Sequence, residues 1–162
     1  MLVSKITQAM IHYFKDDHRR INHALKVYGF AHVLAGLEGL TAPESEVVDL
    51  AGVLHDIGIT EAERKYQSSA GKYQELEGPR VAKALMEECG VAPAVIARVC
   101  FLVGNHHSYS RIDGNDFQIL VEADFLVNIF EDHLEREAIE SVAQKYFKTV
   151  AGQAMIHSMY LR

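Results

Sequence analysis

Apolar residues recur every three to four positions along nearly the whole of this 162-residue chain. That period belongs to α-helices packed on one another and not to sheets. Ile6, Met10 and Phe14 mark a helix over Ser4–Phe14, and Ile21, Ala24, Leu25, Tyr28, Ala31 and Ala35 mark a long second one over Asp17–Gly39. Thr41, Pro43 and the acids Glu44 and Glu46 open a third with a hydroxyl cap, an early proline and negative charge in the first turn. It runs through Val47, Leu50, Ala51 and Leu54 and should stop near Gly58. A fourth carries Val81, Ala84 and Leu85 to Gly90, a fifth covers Ala92–Val103, a sixth covers Phe117–Phe130 capped by Asp116, and a seventh covers Glu135–Lys148. The polar stretch Ile59–Gln74 and the segment Ser108–Asn115 read as loops, and Val150–Arg162 as a weakly helical tail. No segment alternates apolar and polar residues as a half-buried strand does. The chain reads as all-α, one helical bundle of about six to eight helices over residues 1–162.

Composition narrows the function classes. A chain this long, 49% hydrophobic, can bury a core that needs neither disulfides nor a structural metal. Sixteen Lys and Arg against 22 Asp and Glu give a formal charge of -6, with no basic cluster to track a phosphate backbone, so bulk nucleic-acid binding is not expected. No apolar run is long enough to cross a membrane, and Met1–Tyr13 lacks the cleavage pattern of a secretory signal. Two cysteines, Cys89 and Cys100, suit a reducing cytoplasm. A homodimer is compatible with a small acidic helical chain.

Four places offer chemistry. His55-Asp56 ends an otherwise apolar helix, and adjacent side chains about 100° apart there can both reach one ion beyond the helix end. Asp124 lies inside Ile119-Leu-Val-Glu-Ala-Asp-Phe-Leu-Val127, where an ionised carboxylate needs a cation, a metal or a hydrogen-bond network. Asn128, one turn on, can hold that carboxylate, while Glu122, two residues back, is read as the solvent-facing member. His106-His107 follows a buried helix and a Gly-Asn break, with one ring expected to face inward and the other outward. His23 and His32 share the long helix but point to opposite sides, so only one can serve the same ion. His12, His18, His133 and His157 read as surface residues.

With His23, His55-Asp56 and Asp124 in that order, the chain resembles the HD-domain superfamily of metal-dependent phosphohydrolases over roughly residues 18–132. The pieces that carry the resemblance are Asn22-His-Ala-Leu-Lys-Val27, Leu50-Ala-Gly-Val-Leu-His-Asp-Ile-Gly58, Gly104-Asn-His-His107 and Glu122-Ala-Asp-Phe-Leu126. It selects His23 over His32. It implies an HD-type bundle in which His23, His55, Asp56 and Asp124 bind a divalent metal (Mn, Fe, Co, Ni, Zn or Mg), with Asp56 able to bridge a second ion. His106 or His107 matches a further ligand position. Another, a His near the start of the fourth helix, has no His here, which leaves Glu75 or Glu77 as substitutes. The lysine that often follows the Ile-Gly is replaced by Ile59, so Lys65, Lys72 or Arg80 would supply positive charge, with Glu61 a candidate base. Tyr73 and Gln74, with Lys65, Lys72 and Arg80, are the expected substrate contacts. The implied activity is hydrolysis of a small phosphate ester, a nucleotide in first place, by a metal-activated water. The alternatives are a di-iron oxygenase of similar ligand order and a metal-binding regulatory module without turnover.

Overall fold

The computed structural model describes residues 2–162, which form nine α-helices joined by short connections. They are α1 (Leu2–Phe14), α2 (His18–Leu37), α3 (Ala42–Leu54), α4 (Ile59–Tyr66), α5 (Gly71–Glu88), α6 (Pro93–Val103), α7 (Asn115–Glu131), α8 (Arg136–Tyr146) and α9 (Val150–Tyr160), with a single 3-10 turn at Tyr109–Arg111 between α6 and α7. Among the described residues there is no strand, and no helix is long and apolar enough to cross a membrane. The all-helical expectation therefore holds, with one helix more than the upper bound read from the sequence.

Two of the nine were not read as firm helices. Ile59–Tyr66 hides its period because Ala62 is its one buried residue. Charge pairs on its flanks tie it down instead: Glu61 to Arg64 at 2.9 Å, Glu63 to Arg20 at 2.5 Å and Lys65 to Glu77 at 2.6 Å. Residues 71–74, read as the end of a loop, are the first turn of α5. The tail folds as α9, capped by Thr149, whose side chain accepts from the Gly152 N–H. At the start of α7 the cap is Gly114, and Asp116 lies inside the first turn, where its carboxylate meets Arg98 at 2.7 Å.

Helices α3 and α7 form the centre. Every residue of α3 from Val47 to Leu54 is buried, and α7 buries eleven side chains, Glu122 and Asp124 among them. Glu122 thus departs from its expected solvent-facing place and is fully enclosed. Two residues do put it opposite Asp124, but that side of α7 is covered by the α8–α9 connection. There the Glu122 carboxylate accepts from Lys148 N–H (2.6 Å), Thr149 N–H (2.9 Å) and the Thr149 hydroxyl (2.5 Å), which supplies the partners a buried charge requires.

Helix α2 crosses α3 at a glycine. A Cβ on Gly52 would stand 2.9 Å from Tyr28 Cα, so the absence of a side chain sets how near the two backbones come. Replacing Gly52 by Ala gains about 1 kcal/mol of helix propensity but forces α2 outward. A net loss of roughly 1–2 kcal/mol is expected, read as a melting temperature lowered by several degrees; an unchanged or raised value would contradict the tight crossing.

Candidate metal centre

The crossing of α2 and α3 brings His23 to His55. Their Nε2 atoms lie 3.1 Å apart in the buried interior. Asp56 Oδ2 stands 3.4 Å from His23 Nε2 and 3.5 Å from His55 Nε2, and Asp124 Oδ1, from α7, stands 3.2 and 3.6 Å from the same two atoms. Ligands bonded to one ion at about 2.1 Å are separated by about 3.0 Å in an octahedron and 3.4 Å in a tetrahedron. His23 and His55 therefore stand from each other and from each of the two carboxylates at the spacing of a coordination polyhedron.

Each ring is oriented through its other nitrogen. His55 Nδ1 lies 2.9 Å from the Gly52 carbonyl, which can only accept, so the proton is on Nδ1 and the Nε2 lone pair is free. His106 Nδ1 is fixed in the same way by the Val103 carbonyl at 2.9 Å. His23 Nδ1 donates to Glu131 Oε2 at 2.9 Å, and Lys26 holds the other oxygen of that carboxylate at 2.5 Å. Asp124 is steadied by the Asn128 amide at 2.9 Å, as the one-turn spacing predicts. Nitrogen lone pairs and carboxylates then converge with no donor among them. A proton or a metal cation is the group that fits.

The titration of these groups reflects the same need. Burial opposes charge on His55 and His23, yet Asp56 and Asp124 outweigh it and raise both imidazoles, His55 well above its usual range. Burial likewise works against ionising Asp56 and Asp124, and the facing imidazoles reverse that, holding both carboxyls below the usual carboxylate range.

A second group shares Asp56. Its Oδ1 lies 3.3 Å from His106 Nε2, and ligand atoms of Asp56, His106 and His107 lie within 4.8 Å of one another. Both histidines of the pair therefore turn toward the carboxylate, in place of the expected one-in, one-out arrangement. Their Nε2 atoms are buried and have no hydrogen-bond partner. Burial, reinforced by His106, lowers His107 to about 4, so its ring is a neutral donor at physiological pH. Gly71 leaves room for it: a Cβ there would touch the His107 ring at 2.8 Å.

These groups open onto a cavity of about 410 Å³ lined by His23, Asp56, His107, Asp124, Gln74, Ser69, Ile59, Asn128 and the charged residues Asp17, Arg19, Arg20, Glu131 and Asp132. Of the predicted substrate contacts only Gln74 lines it. Lys65 is paired with Glu77, and Arg80 with Glu61 at 3.2 Å. Lys72 lies over the Tyr73 ring, which stacks on Tyr66 at 4.3 Å. Glu61 also binds Arg64, and no atom of it lines the cavity, so nothing places it as a base.

Neither substitute ligand joins the cluster. Glu75 accepts from His107 N–H (3.0 Å) and from Ser108, and Glu77 accepts from Lys65 and the Tyr66 hydroxyl. His32 pairs with Asp49 on the far side of α2. Glu131 and Arg19 went unread in the sequence, although spacing carries both: Glu131 is seven residues after Asp124, and Arg19 four before His23, each on one helix face.

A search of curated proteins found no match, and a search of solved structures found none either. The model of the HD domain family matches residues 20–148, a span that holds His23, His55-Asp56, His106-His107 and Asp124. With most of the chain matched, and with imidazoles and carboxylates gathered where a divalent ion fits, this protein belongs to the HD domain family.

Proposed function

We propose that the protein is a metal-dependent phosphohydrolase that cleaves a small phosphate monoester, with two divalent ions bridged by Asp56. One observation carries the reading: the two oxygens of a single carboxylate face two different sets of imidazoles, Oδ2 toward His23 and His55 and Oδ1 toward His106. His23, His55, Asp56 and Asp124 would hold one ion, and Asp56, His106 and His107 the other. Ions held there would polarise a phosphoryl oxygen and bring the pKa of a bound water toward neutrality. Electrostatics supports two of them, since the lining carries five carboxylates against two guanidiniums. One divalent ion leaves that excess negative, and two reverse it, which a phosphate dianion requires.

The remaining work falls to side chains. Asn128 and Glu131 keep Asp124 and His23 in place, so reorganisation at the site is small. Arg20 is held by Asp17 and Glu63, whereas Arg19 makes no ion pair among the described residues. Arg19 is therefore the guanidinium we assign to the phosphate, in place of Lys65, Lys72 and Arg80. Nucleotides remain the leading substrates within this reading.

A panel of nucleoside monophosphates and other phosphate esters, assayed with Mn, Co, Ni, Zn and Mg, tests the assignment. Asp56→Ala should lower phosphate release at least about 100-fold, and Arg19→Ala should raise KM more than it lowers kcat. Oxygen uptake in place of phosphate release would support the oxygenase, and no turnover with any metal would support a binding module. Glu131→Ala should weaken metal affinity by roughly 10- to 100-fold with little change in melting temperature, measured by calorimetric titration of the metal-free protein. Unaltered affinity would remove Glu131 from the orientation of His23.

A further inference from the structure

Gln74 is 7% exposed, and its carboxamide is only half satisfied. The Nε2 end donates to the Ser69 carbonyl at 2.7 Å. That carbonyl can only accept, so the amide cannot be turned end for end, and Oε1 is the atom left over. Oε1 is buried and meets no donor in the protein. Such an atom costs roughly 1–3 kcal/mol unless something binds it.

Its place in the fold says what that something is. The backbone carbonyl of Gln74 lies 2.5 Å from where a Cβ on Gly58 would stand, so Gln74 is packed against the turn that carries Asp56. One helical turn earlier, on the same face of α5, Gly71 touches the His107 ring. The first turn of α5, which carries Gln74, is thus packed on both the Asp56 turn and the His107 ring, and Gln74 lines the same cavity as Asp56 and His107. Among the described residues, the other two buried side-chain nitrogen or oxygen atoms without a partner are His106 Nε2 and His107 Nε2.

We propose that Gln74 Oε1 is the oxygen ligand that completes the second divalent-cation site with Asp56 Oδ1, His106 Nε2 and His107 Nε2, an inference that rests on the two-ion reading above. It puts a neutral, hard donor where Glu75 and Glu77 were expected to serve. The first site has two carboxylates and the second shares one, so the second ion is the weaker bound. A carboxamide oxygen in place of a third imidazole also tilts the second site from Zn or Ni toward Mn or Mg.

The test is Mn(II) titration of the metal-free protein by calorimetry, with the free ion followed by electron paramagnetic resonance. Wild type should take up two ions in steps of unequal affinity. Gln74→Leu should keep the first step and weaken the second at least about tenfold. Gln74→Glu should strengthen the second, and Gln74→His should shift its preference toward Zn. Two ions bound by wild type with an unaltered second step in Gln74→Leu would overturn the role of Gln74 alone. A wild type that binds a single ion would overturn the two-ion reading and this inference with it. Because Gln74→Glu predicts a gain, misfolding cannot mimic the expected result.

Discussion

Two imidazole nitrogens 3.1 Å apart inside an apolar bundle set the terms for the rest of this structure. With the Nδ1 atoms of His23 and His55 committed to Glu131 and the Gly52 carbonyl, both Nε2 atoms face each other and two carboxylates, where a proton or a divalent cation is what satisfies them. Such an arrangement persists only where packing is stiff and a positive charge is in reach. Stiffness comes from the close crossing of α2 and α3 at Gly52, whose carbonyl also orients His55. The glycine that lets the helices approach is thus part of what aims the ligand.

Helix α7 works on two sides. Asp124, Asn128 and Glu131 repeat at four and three residues along one face, and all three serve the site or hold what serves it. Glu122, on the opposite face, fastens the α8–α9 connection through three donors. A helix buried almost all round can carry charge on both sides because each charge finds its own partners. The C-terminal helix is in this way anchored to the element that presents Asp124.

Behind the cavity lining, the charged side chains of the neighbouring elements are largely spent on one another. Lys65, Arg80, Glu61 and Glu77 bind one another across α4 and α5, and Glu75 fastens the backbone and hydroxyl that follow His106. Arg98 clasps Asp113 and Asp116 beside the start of α7. These pairs keep the α4–α5 connection and the 3-10 turn in place around the cluster. Polar groups with spare capacity are then few, and Arg19, Gln74, His106 and His107 stand out among them.

The period of apolar residues alone determined that the chain is helical and where seven of its helices lie, because burying one face of a helix requires that spacing. Its order of His, His-Asp and Asp marked the centre through the resemblance to the HD-domain family, which selected His23 over His32, while Asp124 inside an apolar helix required a compensating partner. Asp124 and Asn128 were legible as a pair for the same reason. Helix α4 was not, because cross-helix ion pairs stabilise it and leave no stripe. Nor were the fates of Glu75, Glu77, Lys65 and Arg80, whose partners lie on other elements. The sequence left open His106 or His107, and it turned Glu122 to solvent where the fold encloses it. Only the tertiary structure decided these, because the direction a side chain takes depends on what is packed across from it, and a linear spacing contains no such neighbour.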